Sequence, residues 1–85
     1  MKISLRFFAS VREALGTSEE SLVLPDEVRT VGAVRAFLVA RGGVWAEALA
    51  DRRPLRTAFN HVMCGPETAL ADNAEVAFFP PVTGG

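Results

Sequence analysis

Hydrophobic and polar positions alternate from the first residues. Between Lys2 and Phe8, Ile3, Leu5 and Phe7 fall on one side, and Ser4, Arg6 and Phe8 on the other. A period of two is that of a half-buried strand. The period then changes. Ser10-Val11-Arg12-Glu13 has capping-box form and predicts a short helix with Val11, Ala14 and Leu15 on its inner face and Gly16 at its C-terminal cap. Thr17-Ser18-Glu19-Glu20 has the same form. Leu22-Val23-Leu24-Pro25 follows it with strand character and an early stop, so a second strand is expected there instead.

Pro25-Asp26-Glu27 reads as a turn, and Thr30 as the N-cap of the main helix, Val31 to Arg41. At 100° per residue, Val31, Val34, Phe37 and Leu38 share one apolar arc, while Gly32, Ala33, Ala36 and Ala40 give a smooth outer side. Gly42-Gly43 ends that helix. A short helical turn is expected over Val44 to Asp51, with Trp45 capping the core. Arg56 to Cys64 reads as one strand, broken by Gly65-Pro66. After a turn at Asp72-Asn73, Ala74 to Phe79 is the last strand, with Val76 and Phe78 opposite Glu75, Ala77 and Phe79. The order predicts an α+β fold with a mixed sheet packed on one main helix, the β-grasp or ubiquitin-like architecture. A split ferredoxin-like fold needs two long helices, and the first helix here is too short. The division expected is a domain over 1–80 and an extended tail over 81–85.

Composition sharpens this. Eighty-five residues make one small domain, yet 49% are hydrophobic. Some apolar surface is therefore expected to stay exposed for a partner. A net charge of −1 argues against nucleic acid as the main ligand. Arginines 29, 35, 41, 52, 53 and 56 cluster mid-chain, but acidic residues interleave them and predict a solvated face. No apolar run has membrane-spanning length, and the N-terminal residues lack a signal-peptide layout. A single cysteine fits a reducing cytoplasm.

The body offers little chemistry. His61 and Cys64 are the lone residues of their kinds, too few for an ordinary metal site, so none is expected. Three apart on a strand, they point to opposite faces and make no dyad. No phosphate-binding glycine motif occurs. The last eight residues stand out instead: Phe78-Phe79-Pro80-Pro81-Val82-Thr83-Gly84-Gly85. The prolines hold the chain extended, and glycines without Cβ atoms pass through a narrow channel. A Gly-Gly pair alone arises by chance at the end of roughly one chain in 200. With the aromatic and proline pairs before it, the signal is much stronger. A terminal carboxylate is ionised and a poor electrophile at neutral pH. To react it needs activation, for instance as an acyl adenylate formed on another protein.

Two blocks carry a family resemblance along the whole chain. Glu75-Val76-Ala77-Phe78-Phe79-Pro80-Pro81-Val82-Thr83-Gly84-Gly85 and Phe7-Phe8-Ala9-Ser10-Val11-Arg12-Glu13, followed by Gly16-Thr17, resemble the small sulfur-carrier subunit of molybdopterin synthase. Ala58-Phe59-Asn60 is a weaker third block. The Asp72-Asn73-Ala74 turn and Gly65-Pro66-Glu67-Thr68 depart from the family pattern in connecting segments. The resemblance implies a β-grasp fold and a carrier whose Gly85 is adenylated and then converted to a thiocarboxylate. Sulfur then passes to cyclic pyranopterin monophosphate to make molybdopterin. It implies that Pro80, Pro81, Val82, Thr83 and Gly84 form the segment inserted into the large subunit. It implies that Phe8, Met63 and Phe79 meet the partners: the large subunit and a ubiquitin-activating-like adenylyltransferase. A sulfur donor protein completes the set, and a heterotetramer is the implied assembly. The domain is expected to bind no cofactor itself, ATP being used by the activating enzyme, and the acid–base groups are expected on the large subunit. A thiamine-thiazole sulfur carrier, a ubiquitin-like modifier of lysines and a passive binding module remain as alternatives.

Overall fold

In the computed structural model, which describes residues 1–81, the two alternating stretches with the best-defined pattern lie side by side. Strand β1 (Lys2–Phe7) pairs in parallel with β5 (Glu75–Phe79), Leu5 beside Val76 and Phe7 beside Phe78. Strand β2 (Glu19–Val23) runs antiparallel to β1, Ile3 opposite Leu22 and Leu5 opposite Glu20. Strands β3 (Arg56–Phe59) and β4 (Val62–Cys64) complete a mixed sheet in the order β2-β1-β5-β3-β4. Helices α1 (Ala9–Leu15), α2 (Val31–Val39) and α3 (Gly43–Ala48) complete the chain. This is the β-grasp arrangement that the element order predicts, the parallel β1–β5 pair at the centre of the sheet.

The core follows the periodicities. Ile3, Leu5, Phe7, Val76 and Phe78 from the sheet meet Val31, Val34 and Leu38 of α2, all buried, with Val11 of α1 and Leu49 closing the ends. Phe7 stacks on Phe78 at 6.2 Å, and Trp45 packs edge-on against Phe7 at 5.7 Å, as the core-capping reading of Trp45 requires. Phe37 is half-buried against this cluster. Thr30 caps α2 as expected, its hydroxyl accepting from the Ala33 amide at 3.1 Å. Gly16 and Gly42 take positive φ at helix boundaries.

Several expectations fail for local reasons. Ser10 lies inside α1. The N-cap is Phe8, whose side chain makes no capping bond, and its carbonyl accepts from the Val11 and Arg12 amides at 3.1 and 3.3 Å. Ala14 is exposed, so Val11 and Leu15 alone carry the inner face of α1. Helix α2 stops at Val39, two residues early, and α3 starts at Gly43 itself. The single strand expected over Arg56 to Cys64 is a hairpin. Asn60 and His61 adopt φ of 48° and 70°, the left-handed pair that a two-residue hairpin turn requires. Gly32 is not on a smooth outer side. A Cβ there would meet Pro66 at 3.0 Å, and the Gly32 amide donates to the Pro66 carbonyl at 2.8 Å. With Val31 N bonded to Thr68 O at 3.0 Å, the Gly65-Pro66-Glu67-Thr68 segment satisfies the first amides of α2, which otherwise lack partners.

Candidate functional site

Strand β5 delivers the chain to Pro80 and Pro81, both half-buried. They line a groove of about 280 Å³ with Val11 and Ala14 of α1, Ala48 of α3, and Arg53, Pro54 and Leu55 of the segment leading to β3. The base of the tail is thus seated against the body. Val82, Thr83, Gly84 and Gly85, expected to insert and to carry the reacting carboxylate, lie outside the described residues.

The groove wall depends on a side chain that the sequence reading did not single out. Arg35 of α2 reaches across to the end of α3. Its Nε donates to the Leu49 carbonyl at 2.8 Å, and its Nη2 to the carbonyls of Ala50 and, at 3.0 Å, Arg53. One guanidinium thereby satisfies three carbonyls at and beyond a helix C-terminus and fixes the path of residues 49–53. The only prior signal was an arginine among small residues on a helix, which reads equally as a solvated charge. The mid-chain arginines do not form one face. Arg41 pairs bidentately with Glu20, lowering that carboxyl below its ordinary range by hydrogen bonding and raising the arginine in turn. Arg52 and Arg53 both donate to Glu47, whose carboxyl is lowered first by the Arg53 hydrogen bond.

Beside the tail base the sheet turns an apolar surface outward. Phe8 follows β1 in extended conformation and donates its amide to Phe78 O at 3.3 Å. Ala9 then takes φ 51°, a left-handed turn that costs an L-residue roughly 1–2 kcal/mol. The turn lets the chain enter α1 on one side of the sheet while the Phe8 ring stays on the other. Phe8 is 40% exposed and meets the half-buried Phe79 ring edge to face at 6.4 Å, with the Arg6 guanidinium 5.5 Å from its centre. Met63, 55% exposed, lies on the same face but is not in register with the pair. It faces Ala58, which faces Ala77, whereas Phe79 faces Arg56. Two strand spacings and a diagonal step therefore separate Met63 from Phe79, with the small Ala58 and the exposed Arg56 between them. The structure brings Phe8 and Phe79 together and leaves Met63 as an outlying point on the β4 edge.

His61 sits in the hairpin turn, its Nδ1 3.5 Å from Glu75 Oε2. Cys64 lies on β4, its thiol 3.6 Å from the Thr57 hydroxyl. The two side chains engage different partners, through the hairpin rather than through strand alternation. No group of three or more metal-ligating side chains gathers among the described residues, and no described helix is long and apolar enough to cross a membrane.

Comparison with known proteins places this geometry. The ThiS family model matches residues 5–85. The chain is 40% identical to the molybdopterin synthase sulfur carrier subunit of Haemophilus influenzae, over 98% of this chain and 99% of that one. It is 42% identical to the Escherichia coli protein of the same name, with the same coverage. It is also 34% identical to small archaeal modifier protein 3 of Haloferax volcanii, over the full length of both. Among solved structures, the Haloferax volcanii HVO 2177 protein superposes with a TM-score of 0.79 at 34% identity, covering 100% of this chain and 87% of that one. The SAMP1 crystal structure from the same organism superposes at 0.76 with 26% identity, covering both chains fully.

Proposed function

The chain belongs to the ThiS family, and on that premise we propose that it is the sulfur carrier of a molybdopterin synthase, with Gly85 as the group that carries the sulfur. The observation that carries this is near-complete coverage at 40–42% identity by two curated carriers of that name. The geometry supports it: a proline pair seated in a groove of the body at the base of the segment that ends in Gly85.

Each part then has a task. Adenylation of the Gly85 carboxylate by a ubiquitin-activating-like enzyme, using ATP, converts a poor electrophile into an acyl phosphate mixed anhydride. Sulfur from a donor protein displaces AMP and leaves a thiocarboxylate. Pro80 and Pro81 stiffen the base of the tail, and Val82, Thr83 and Gly84 are the residues that enter the large subunit. Gly84 and Gly85 present no side chain to the channel. There the sulfur passes to cyclic pyranopterin monophosphate, with acid–base groups supplied by the large subunit. The Phe8–Phe79 pair and Met63 supply the apolar contact with the partners. The domain itself holds no cofactor, and the reactions run in the cytoplasm, where the Cys64 thiol stays reduced.

Reconstitution tests this reading. Purified large subunit and pyranopterin are expected to yield molybdopterin only when the loaded chain is added. Deleting Gly84 and Gly85 is expected to abolish the yield without altering thermal stability. Full activity of the truncated chain overturns the reading. The likeness to the archaeal modifier favours a second reading, conjugation of Gly85 to lysines, which shares the adenylate and differs in the acceptor. An isopeptide on cellular proteins, with no molybdopterin formed, assigns that function. Co-purification with a thiazole synthase instead assigns the thiamine branch.

A further inference from the structure

Nine side chains are lysine or arginine, and eight of them are arginines; Lys2 is the lone lysine. An acyl group activated at Gly85 reacts with any free amine within reach. Lysine supplies one, since a pKa near 10.4 leaves about one side chain in 2,500 unprotonated at pH 7. Arginine keeps its charge and offers no nucleophilic nitrogen.

Two of the arginines stand where the tail begins. Arg56 is exposed directly across the β3–β5 pair from Phe79. Arg53 shares the groove with Pro80 and Pro81, its guanidinium held by Glu47 at 2.8 Å. Beyond Pro81 the sequence continues for four residues, enough to reach roughly 14 Å when extended. Both positions fall within that reach. A lysine at either would meet Gly85 at an effective concentration in the millimolar range. Lys2 lies at the opposite end of the sheet. With β1 parallel to β5 and Phe7 beside Phe78, it sits roughly 17 Å back along the strands, and Pro81 about 10 Å further forward. Tail and lysine side chain together, about 20 Å, do not close that span. The Met1 amine is at the same far end, 3.4 Å from the Leu24 carbonyl.

We propose that Arg53 and Arg56 are specificity-determining residues. They keep positive charge beside the tail while withholding an amine, so the activated Gly85 acyl group is left to acceptors on other molecules. This rests on the reading that Gly85 is activated. The reaction they prevent is internal aminolysis. A neutral ε-nitrogen adds to the Gly85 carbonyl carbon, the bond to sulfur or to the AMP oxygen breaks, and the thiol or AMP departs. The nitrogen's proton goes to solvent and a lactam closes.

The test needs no enzyme. The full chain is prepared with Gly85 as a thioester of 2-mercaptoethanesulfonate, in excess thiol so that exchange with Cys64 stays reversible, and is followed by intact mass at mildly alkaline pH. The wild-type chain is expected to hydrolyse to the free acid. Arg53→Lys and Arg56→Lys are expected to give a cyclised product one water lighter than the acid. Their thioester loss should match that caused by several millimolar added alkylamine on the wild-type chain. Val23→Lys, paired with Lys2 at the far end, should behave as wild type. Hydrolysis without cyclisation in both arginine variants, or equal capture in Val23→Lys, overturns the proposal. Failure of the activating enzyme to adenylate the wild-type chain refutes the underlying functional reading and leaves this chemical result untouched.

Discussion

Both faces of the sheet carry phenylalanines from the same two chain segments, and the environments of those rings are opposite. On the helix side, Ile3, Leu5, Phe7, Val76 and Phe78 are all at or below 1% exposure. On the other side, one residue further along the same strands, Phe8 and Phe79 meet each other and stay accessible, with Met63 beyond them. Phe7 and Phe8 are neighbours in sequence and opposites in environment. The first is committed to folding. The second stays accessible, next to the end of β5 that runs into Pro80 and Pro81. Strand alternation thus places the packed core on one face and leaves accessible aromatic surface on the other.

The largest contrast should come from truncating those neighbours in turn. Phe7→Ala removes a fully buried ring from a stack with Phe78 and an edge contact with Trp45, and is expected to cost about 3–5 kcal/mol in denaturant unfolding. Phe8→Ala is expected to cost about 1 kcal/mol or less, since the ring is partly exposed and loses mainly an aromatic and a cation–π contact. Equal losses would erase the distinction between the faces. Arg35→Met comes next, at about 2 kcal/mol, because three carbonyls lose a charged donor. It should also loosen the groove beside Pro80 and Pro81, seen as faster amide exchange over residues 49–55. Unchanged exchange there would mean the arginine only decorates the helix.

The sharpest test of the outer face concerns binding. Phe8→Ala and Phe79→Ala are each expected to weaken association with the large subunit by about 1–2 kcal/mol, about 5- to 30-fold. Met63→Ala should have a smaller effect, as it stands apart from the ring pair. Titration calorimetry ranks the three, and a dominant Met63 would relocate the interface to the β4 edge. The smallest effect is electrostatic. Hydrogen bonding to Arg41 lowers the Glu20 carboxyl, so the pair stabilises the fold fully above the ordinary carboxylate pKa. The contribution is lost as pH falls through the lower folded value. Glu20→Gln should cost about 1 kcal/mol or less at pH 7, and the difference from wild type should vanish in strong acid.

Much of this was legible in sequence because it rests on period. Ile3, Leu5 and Phe7, Val76 and Phe78, and Val31, Val34 and Leu38 all took the burial that their spacing implies. Thr30 and Gly16 were readable because capping chemistry is local. The hairpin at Asn60-His61 was hidden, since β-branched and apolar residues flank it without a glycine and only the asparagine signals left-handed backbone. Ser10 misled because the chain needs Phe8 extended beside Phe78, which starts the helix one residue before the apparent cap. Gly32 and Arg35 were opaque for a common reason. Their partners, Pro66 and the carbonyls of residues 49–53, come from distant segments that only the folded chain brings near. The outer-face aromatics were anticipated from alternation together with family resemblance, while the groove under Pro80 and Pro81 emerged only from packing.

The central claim is that the chain delivers sulfur from Gly85. Intact-mass and fragment analysis of the protein, after incubation with its activating enzyme, ATP and a sulfur donor, tests it most directly. The account predicts one oxygen replaced by sulfur, localised to Gly85 and absent without ATP. An unmodified terminus under conditions that load a known carrier, or a modification confined to any other residue, would contradict it.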